Sequence, residues 1–344
     1  MRAMKATITD VAKIAGVSMK TVSRVLNNEP NVAAKTREKV LAVAADLRYS
    51  PNLAAKGLAS SKSYLVALVY DNPSPYYIAK IQSGAIDACR KFGYHLVPEP
   101  LQLPDVGDEE SQAETVRHLL HRLPVDGVIL TPPLSDSPGV IKALETMKIP
   151  FVLIAPSGRE SGINAVKMDD IQAAREMTEF LIAQGHTSIG FIKGHPEHSA
   201  TALRYEGFRD AMANARLTVH SHEVIQGDFS FRSGVNAAEA LLADKSSHPS
   251  AIFASNDDMA AGVVSVASRL GILVPDELSV CGFDDTPLAK ILFPQLTTVQ
   301  QPIYEMGFHA VKTLVDPTQK SKPAETRNLD FKLVVRDSAL IQSR

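Results

Sequence analysis

Apolar residues in the first fifty positions recur at helical spacing, in three short stretches separated by polar turns. In the first stretch Val11, Ile14 and Ala15 form one apolar face, and Thr7 with Asp10 makes a T-x-x-D capping box at its start. Gly16 marks the stop and turn. Ser18 caps a second stretch whose inward face is Val22, Val25 and Leu26. Residues 35–47 predict a third helix with Val40, Ala44 and Leu47 on one side. Pro51 disfavours helix at Ser50. Residues 53–63, LAAKGLASSKS, then favour helix through alanine and leucine but are weakened by Gly57 and the serines.

From residue 64 the pattern changes to short apolar runs. YLVALVY (64–70) reads as a buried strand, and 76–92 as a helix with Ile78, Ile81, Ala85 and Ala88 or Cys89 inside. Further strands are expected at 94–97, 126–131, 150–154, 164–168, 188–193, 223–227, 251–255 and 278–283. Helical stretches separate most of them, the pattern of a doubly wound parallel sheet. Nine such runs exceed one sheet and predict two tandem α/β lobes. Ligands in open α/β sheets bind beyond the carboxyl ends of the strands, so the residues just after each run are the binding candidates.

Charge separates the two parts of the chain. Residues 1–63 hold eleven Lys/Arg and four acids, a net of +7, while the remaining 25 basic and 34 acidic residues give −9. A basic head on an acidic body fits a phosphate-binding module joined to a receptor. The second stretch exposes Met19, Lys20, Thr21, Ser23, Arg24 and Asn27, short or basic side chains able to bond phosphates and base edges in a major groove. The other reading of two such helices, a solvated fragment of some other domain, does not call for this segregation of charge. The head is therefore expected to be a helix-turn-helix that binds DNA.

The 344 residues suffice for two or three compact units, and 45% apolar content allows full cores. No apolar run approaches the ~20 residues of a membrane span. MRAMKATITD lacks a signal-peptide apolar region, so a cytoplasmic protein is expected. Cys89 and Cys281 make no disulfide framework and have no neighbours at metal-ligand spacing, so neither metal nor cofactor is expected.

The run T-x-x-D-V-A-x-x-A-G-V-S-x-x-T-V-S-R-V-L-N at 7–27 resembles the signature of the lactose-repressor (LacI/GalR) family of bacterial transcription regulators. The likeness continues through VAAKTREKVLAVAADLRYSPN (32–52) and across the body. It implies a helix-turn-helix head at 1–50, a hinge segment at 51–63 and an effector-binding and dimerisation body at 64–338. The body would have a periplasmic-binding-protein fold, lobe one being 64–164 plus 301–325 and lobe two 165–300 plus 326–338. It also implies that Thr7, Ser18, Asn31 and Tyr49 join the exposed second-helix residues as DNA contacts. The hinge would fold on DNA, with Asn52, Ala55, Lys56 and Leu58 as contacts and Leu58 wedged into the minor groove. The bare sequence leaves a frayed tether as the alternative.

The strand-end candidates for an effector are Asn72, Ser74, Tyr76, Tyr77, Arg204, Phe229, Asn256, Asp284 and Gln301. Arg, Asp and Asn offer paired donors and acceptors for adjacent hydroxyls, and Tyr or Phe covers the apolar face of a sugar ring. Each has a plainer role open to it: Asn256 as a helix cap, Arg204 lying along a helix surface, Asp285 bonding its own turn. The resemblance assigns Arg204, Asn256, Asp284 and Gln301 to effector-contacting positions, and leaves Asp257 and Asp285 as supports of the fold. A purine-responsive branch carries Arg and Thr where this chain has His198 and Ala200, so a sugar effector is favoured over a purine corepressor. The expected partners are a palindromic operator, a small effector and a second copy of the chain. Ile86 is expected as a dimer contact, and a dimer is expected over a tetramer because no leucine heptads follow FKLVVRDSALIQSR. A solute-binding receptor would lack the basic head. An enzyme would need a phosphate loop, a dinucleotide fingerprint or a nucleophile constellation, and no such motif is recognisable.

Overall fold

A computed structural model describes residues 6–26, 31–49, 62–72, 74–101, 108–158, 162–244, 248–318 and 323–339. The chain divides into two compact units at Tyr64 and Leu65. The first holds α1 (Ile8–Ala15), α2 (Met19–Leu26) and α3 (Ala34–Asp46). Thr7 caps α1: its hydroxyl accepts from the Asp10 N–H, and the Asp10 carboxylate accepts from the Thr7 N–H at 2.8 Å. This bonding holds the Asp10 carboxyl below its usual range, the Thr7 hydroxyl contributing most. Gly16 ends α1 in the left-handed region at φ +65°, where a side chain would be strained. The Ser18 hydroxyl accepts from Thr21 N–H at 3.1 Å and starts α2.

The head's core is Val11, Ala12, Ala15, Val22, Val25, Val40 and Ala44, with Leu26, Leu47 and Tyr49 packed at its edge. One inward assignment fails. Ile14 is 56% exposed, and Ala12 takes its place, because α3 approaches the Val11–Ala15 side of α1.

In the second unit, the first lobe is built on a parallel sheet ordered β2-β1-β3-β4-β5-β11. Its strands are β1 (Leu65–Tyr70), β2 (His95–Pro100), β3 (Gly127–Leu130), β4 (Phe151–Ile154), β5 (Ala165–Lys167) and β11 (Thr326–Asn328). Ala67, Val69, Val128, Leu130 and Leu153 pack against α5 (Glu109–Arg122) and α6 (Pro138–Met147). The other face is covered by α4 (Pro75–Phe92) and α12 (Ile303–Val315). These two helices cross so closely that a Cβ on Gly84 would fall on the Tyr304 carbonyl, and one on Gly307 on the Ile81 carbonyl.

The second lobe has a parallel sheet ordered β7-β6-β8-β9. Its strands are β6 (Ile189–Lys193), β7 (Val224–Gln226), β8 (Ala251–Ala254) and β9 (Ser279–Cys281). The antiparallel pair β10 (Thr298–Gln300) and β12 (Lys332–Val334) lies beside β9 through the Cys281–Thr297 bridge. Helices α7 (Asp170–Ala183) and α8 (Ser199–Asn214) pack together, as do α9 (Phe231–Leu241) and α10 (Asp257–Leu270). A short α11 spans Pro287–Ile291. Side chains alternate across the sheet: Phe191 stacks on Phe208 of α8 at 4.7 Å, while Ile192, Ile252 and Ala254 join the α9–α10 core.

The lobe boundaries differ from those expected. β5 pairs with β4, and β11 pairs with β5, so 165–167 and 326–328 belong to the first lobe's sheet and not the second. The crossings therefore fall at 168–169, 301–302 and 329–331. β10, β11 and β12 are three residues each, too short to show a period.

Candidate functional site

Four helices begin at one cavity between the lobes. Asn72 and Ser74 come from the turn into α4, Asp170 from the start of α7, His198 and Ala200 from the start of α8, and Asn256 from the cap of α10. Tyr77, Pro132, Ala155, Arg204, Phe229, Asp284 and Gln301 complete the lining. Eight of the nine expected effector residues thus meet in one place. Tyr76 does not: it lines a separate hollow with Lys80 and Tyr304, on the far side of Asp284. Consecutive helical residues diverge by about 100°, so Tyr77 and Tyr76 cannot both face the cavity.

Arg204 is the organising side chain. It is buried, its Nε donates to Asp170 Oδ1 at 2.8 Å, and its Nη1 donates to the Ser255 carbonyl at 2.6 Å. The guanidinium carbon sits 3.7 Å from the centre of the Phe283 ring. Held on two edges and one face, the group enters the cavity pre-oriented, which limits the entropy lost on binding. The exposed, surface-lying alternative for Arg204 is excluded by this burial.

Asp284 is equally constrained. It accepts from Gln301 Nε2, and its N–H donates to the Val299 carbonyl at 2.8 Å. Its φ of +120° lies where L side chains rarely go, a local strain of about 1–3 kcal/mol that the β10 contacts must hold in place. Burial pushes the Asp284 carboxyl up, and Arg204 opposes the rise. Behind it, Asp257 is also pushed up by burial while accepting from Thr298 Oγ1 at 2.6 Å and from the Thr286 N–H at 2.7 Å. Asp257 braces the floor and is absent from the lining. Asp285 is likewise a brace, accepting from Gln300 Nε2 at 2.8 Å and from Arg336 Nη2 at 2.5 Å.

Asn256 performs the plainer role open to it, since its Oδ1 accepts from Met259 N–H at 3.0 Å and its Nδ2 donates to the Phe229 carbonyl at 2.8 Å. Through that bond it also fixes Phe229, which holds φ +71° at the strand-to-helix turn. The Phe229 ring lies over Gly194, where a Cβ would collide with it. Its edge meets the His198 imidazole at 5.6 Å. Burial, then His195 and Arg204, lower the His198 pKa to about 4, so this ring is neutral near pH 7. Tyr77 is buried and its phenol pKa is raised by that burial. Asn72 Oδ1 accepts from the Ser74 N–H at 2.9 Å, shaping the turn into α4.

Sequence reasoning missed Pro132, Ala155 and Asp170 as cavity residues. Pro132 and Ala155 follow β3 and β4, so the strand-end rule applied to those strands would have found them. Asp170 was hidden because 165–167 were assigned to the wrong lobe. The structure also joins the lobes at the cavity edge: Ser199 Oγ donates to Asp136 Oδ2 at 2.6 Å, while Asp136 Oδ1 accepts from the Ser157 N–H at 2.7 Å.

In the head, Ser18, Met19, Lys20 and Arg24 are exposed along the start and outer side of α2, with Thr21 and Ser23 partly so. Thr7 and Asn31 are exposed, and Tyr49 is half-buried against the core. Asn27, Asn52, Ala55, Lys56 and Leu58 lie outside the described residues.

Residues 7–52 match the family described as bacterial regulatory proteins, lacI family, and residues 178–339 match a periplasmic binding protein-like domain. Catabolite control protein A of Priestia megaterium is 35% identical over 90% of this chain and 92% of its own length. The chain belongs to the lacI family. The PurR repressor of Photobacterium profundum is 34% identical over 97% of this chain and 98% of its own. The lac repressor dimer bound to operator and an anti-inducer superposes with a TM-score of 0.77 at 28% identity, covering 97% of this chain and 99% of that one. A CelR–cellobiose complex gives 0.72 at 30% identity, covering 97% and 99%. As a lacI-family protein the chain is a DNA-binding transcription repressor that dimerises, binds operator DNA and responds to a small-molecule effector. Its relatives are regulators and not enzymes. Among the described residues no helix is long and apolar enough to cross a membrane.

Proposed function

We propose that this repressor controls carbohydrate uptake or catabolic genes and is released by a sugar or sugar derivative bound between its lobes. The observation that carries this reading is the cavity itself. A pre-oriented Arg204 and the Asp284 carboxyl stand among the aromatic faces of Phe229 and Tyr77, a donor–acceptor and stacking set suited to a polyol ring. The CelR structure, with cellobiose bound, supports a sugar. The PurR relatives support a purine, but here Ala200 lacks a polar group and His198 is a neutral imidazole packed against Phe229.

Mechanistically, effector binding closes the cleft, shifts the first lobes of the dimer against each other and releases the hinge segment 51–63 from operator. The effector acts only through its preference for the closed state, a coupling of about 1–3 kcal/mol. Dimerisation uses α4, with Ile86, together with a lobe-two surface on which Ile291 and Phe293 stand exposed. In the head, Lys20 and Arg24 meet the major groove, and Leu58 wedges the minor groove at the centre of the operator.

The test is a thermal-shift screen of sugars and purines against the full-length protein, repeated with operator DNA. A sugar that raises the melting temperature and weakens operator binding supports the reading. Stabilisation by hypoxanthine or guanine with tighter operator binding replaces it with corepression.

A further inference from the structure

We infer that the cleft selects an uncharged sugar and rejects its phosphorylated or carboxylated counterparts. The inference rests on the sugar reading above and concerns the charge that the protein itself places in the cavity.

Among the described lining residues Arg204 is the only Lys or Arg, and its charge is already matched by Asp170 at 2.8 Å. Asp284 adds a second carboxyl to the lining. A phosphate entering this space would have to draw Arg204 away from Asp170, leaving a buried carboxylate unpaired, or sit between two acids. Either outcome is costly in a site removed from water. His198 supplies no compensating cation, since it is buried beside Arg204 and packed against Phe229.

The four helix N-termini at the cavity work in the other direction, because each carries a partial positive charge that attracts anions. The fold answers three of them with its own acids. Asp169 caps α7 and Asp170 sits in its first turn; Asp257 and Asp258 occupy the first turn of α10. The N-terminus of α8 has no side-chain cap of its own, and there Asp136 of the other lobe reaches Ser199 at 2.6 Å. Neither α8 nor α4, which Ser74 caps, has an acid in its own first turn. A hydroxyl ligand suits this arrangement, donating to the carboxyls and accepting from the guanidinium without leaving a charge unmatched.

The test titrates matched pairs into the full-length protein by calorimetry: glucose and glucose 6-phosphate, ribose and ribose 5-phosphate, galactose and galacturonate. At least one neutral member is expected to bind, and its charged counterpart at least about a hundredfold more weakly. The Asp170→Asn variant, which leaves the Arg204 charge unmatched, is expected to narrow that ratio at least about tenfold. Binding of both members within about tenfold, or of the charged member alone, overturns the inference. If such binding is lost in Arg204→Ala, the cleft reading still stands. No binding by any member of either class overturns the sugar reading itself.

Discussion

Replacing Asp170 by Asn tests whether the cavity is built around a buried ion pair. The substitution keeps a carbonyl oxygen where Oδ1 now accepts from Arg204 Nε, so the shape is retained and the charge removed. Both side chains are only 6% exposed, so solvent does little to screen the loss. Two unit charges about 4 Å apart attract by about 4 kcal/mol at an effective dielectric near 20, and stranding one partner of a buried pair typically costs about 3–5 kcal/mol. The nearby Asp284 carboxyl offsets part of this by ionising more fully beside the unmatched guanidinium. A net loss of about 3 kcal/mol is therefore expected, which lowers the melting temperature of a body this size by roughly 6 °C. Differential scanning calorimetry at pH 7 measures it. The double variant Asp170→Asn/Arg204→Met, which removes both charges, is expected to lose less stability than Asp170→Asn alone. A single variant melting within about 1 °C of the parent would refute the reasoning, because it would mean that the pair is not desolvated in solution.

In the head, Lys20→Ala and Arg24→Ala are each expected to weaken operator binding and to reduce the salt slope by about one, with Lys20 also relaxing sequence preference; operator titrations at several salt concentrations decide this, and an unchanged slope removes the residue from the interface. Ser199→Ala cuts the hydrogen bond to Asp136 across the cleft and is expected to weaken effector binding about five- to tenfold with the fold intact, since a hydrogen bond to a charged group contributes about 1.5 kcal/mol or less when partly exposed. Equal affinity in calorimetry would show that the contact does not hold the cleft closed. His198 resists protonation in the folded state, so its contribution to stability is present above pH 6.5, the unfolded value, and is lost as pH falls toward about 4. His198→Asn is therefore expected to lose less stability than the parent between pH 6.5 and 4 in urea unfolding; a parallel pair of curves contradicts the burial of a neutral ring.

Much of this protein is determined locally and is readable without a structure. The Thr7–Asp10 capping box, the turn at Gly16 and the Ser18 cap involve residues four or fewer positions apart, so spacing alone specifies them. Strands β1, β3, β4, β6, β8 and β9 announce themselves as apolar runs because both faces of a parallel sheet are buried, whereas the edge strands β2 and β7 are only partly buried. Their carboxyl ends mark the cavity because the topology brings them there, which is why eight of nine candidates converge. What tertiary structure alone decides is pairing between distant segments. Arg204 meets an acid 34 positions away, Ser199 meets one 63 positions away, and β11 joins β5 across 161 positions. The same holds for Ile14, whose exposure depends on the side from which α3 approaches, and for Tyr76 and Tyr77, neighbours in sequence that face different hollows. A residue's type and spacing set what it can bond. Which partner it finds depends on how the two lobes close around it, and no local pattern encodes that.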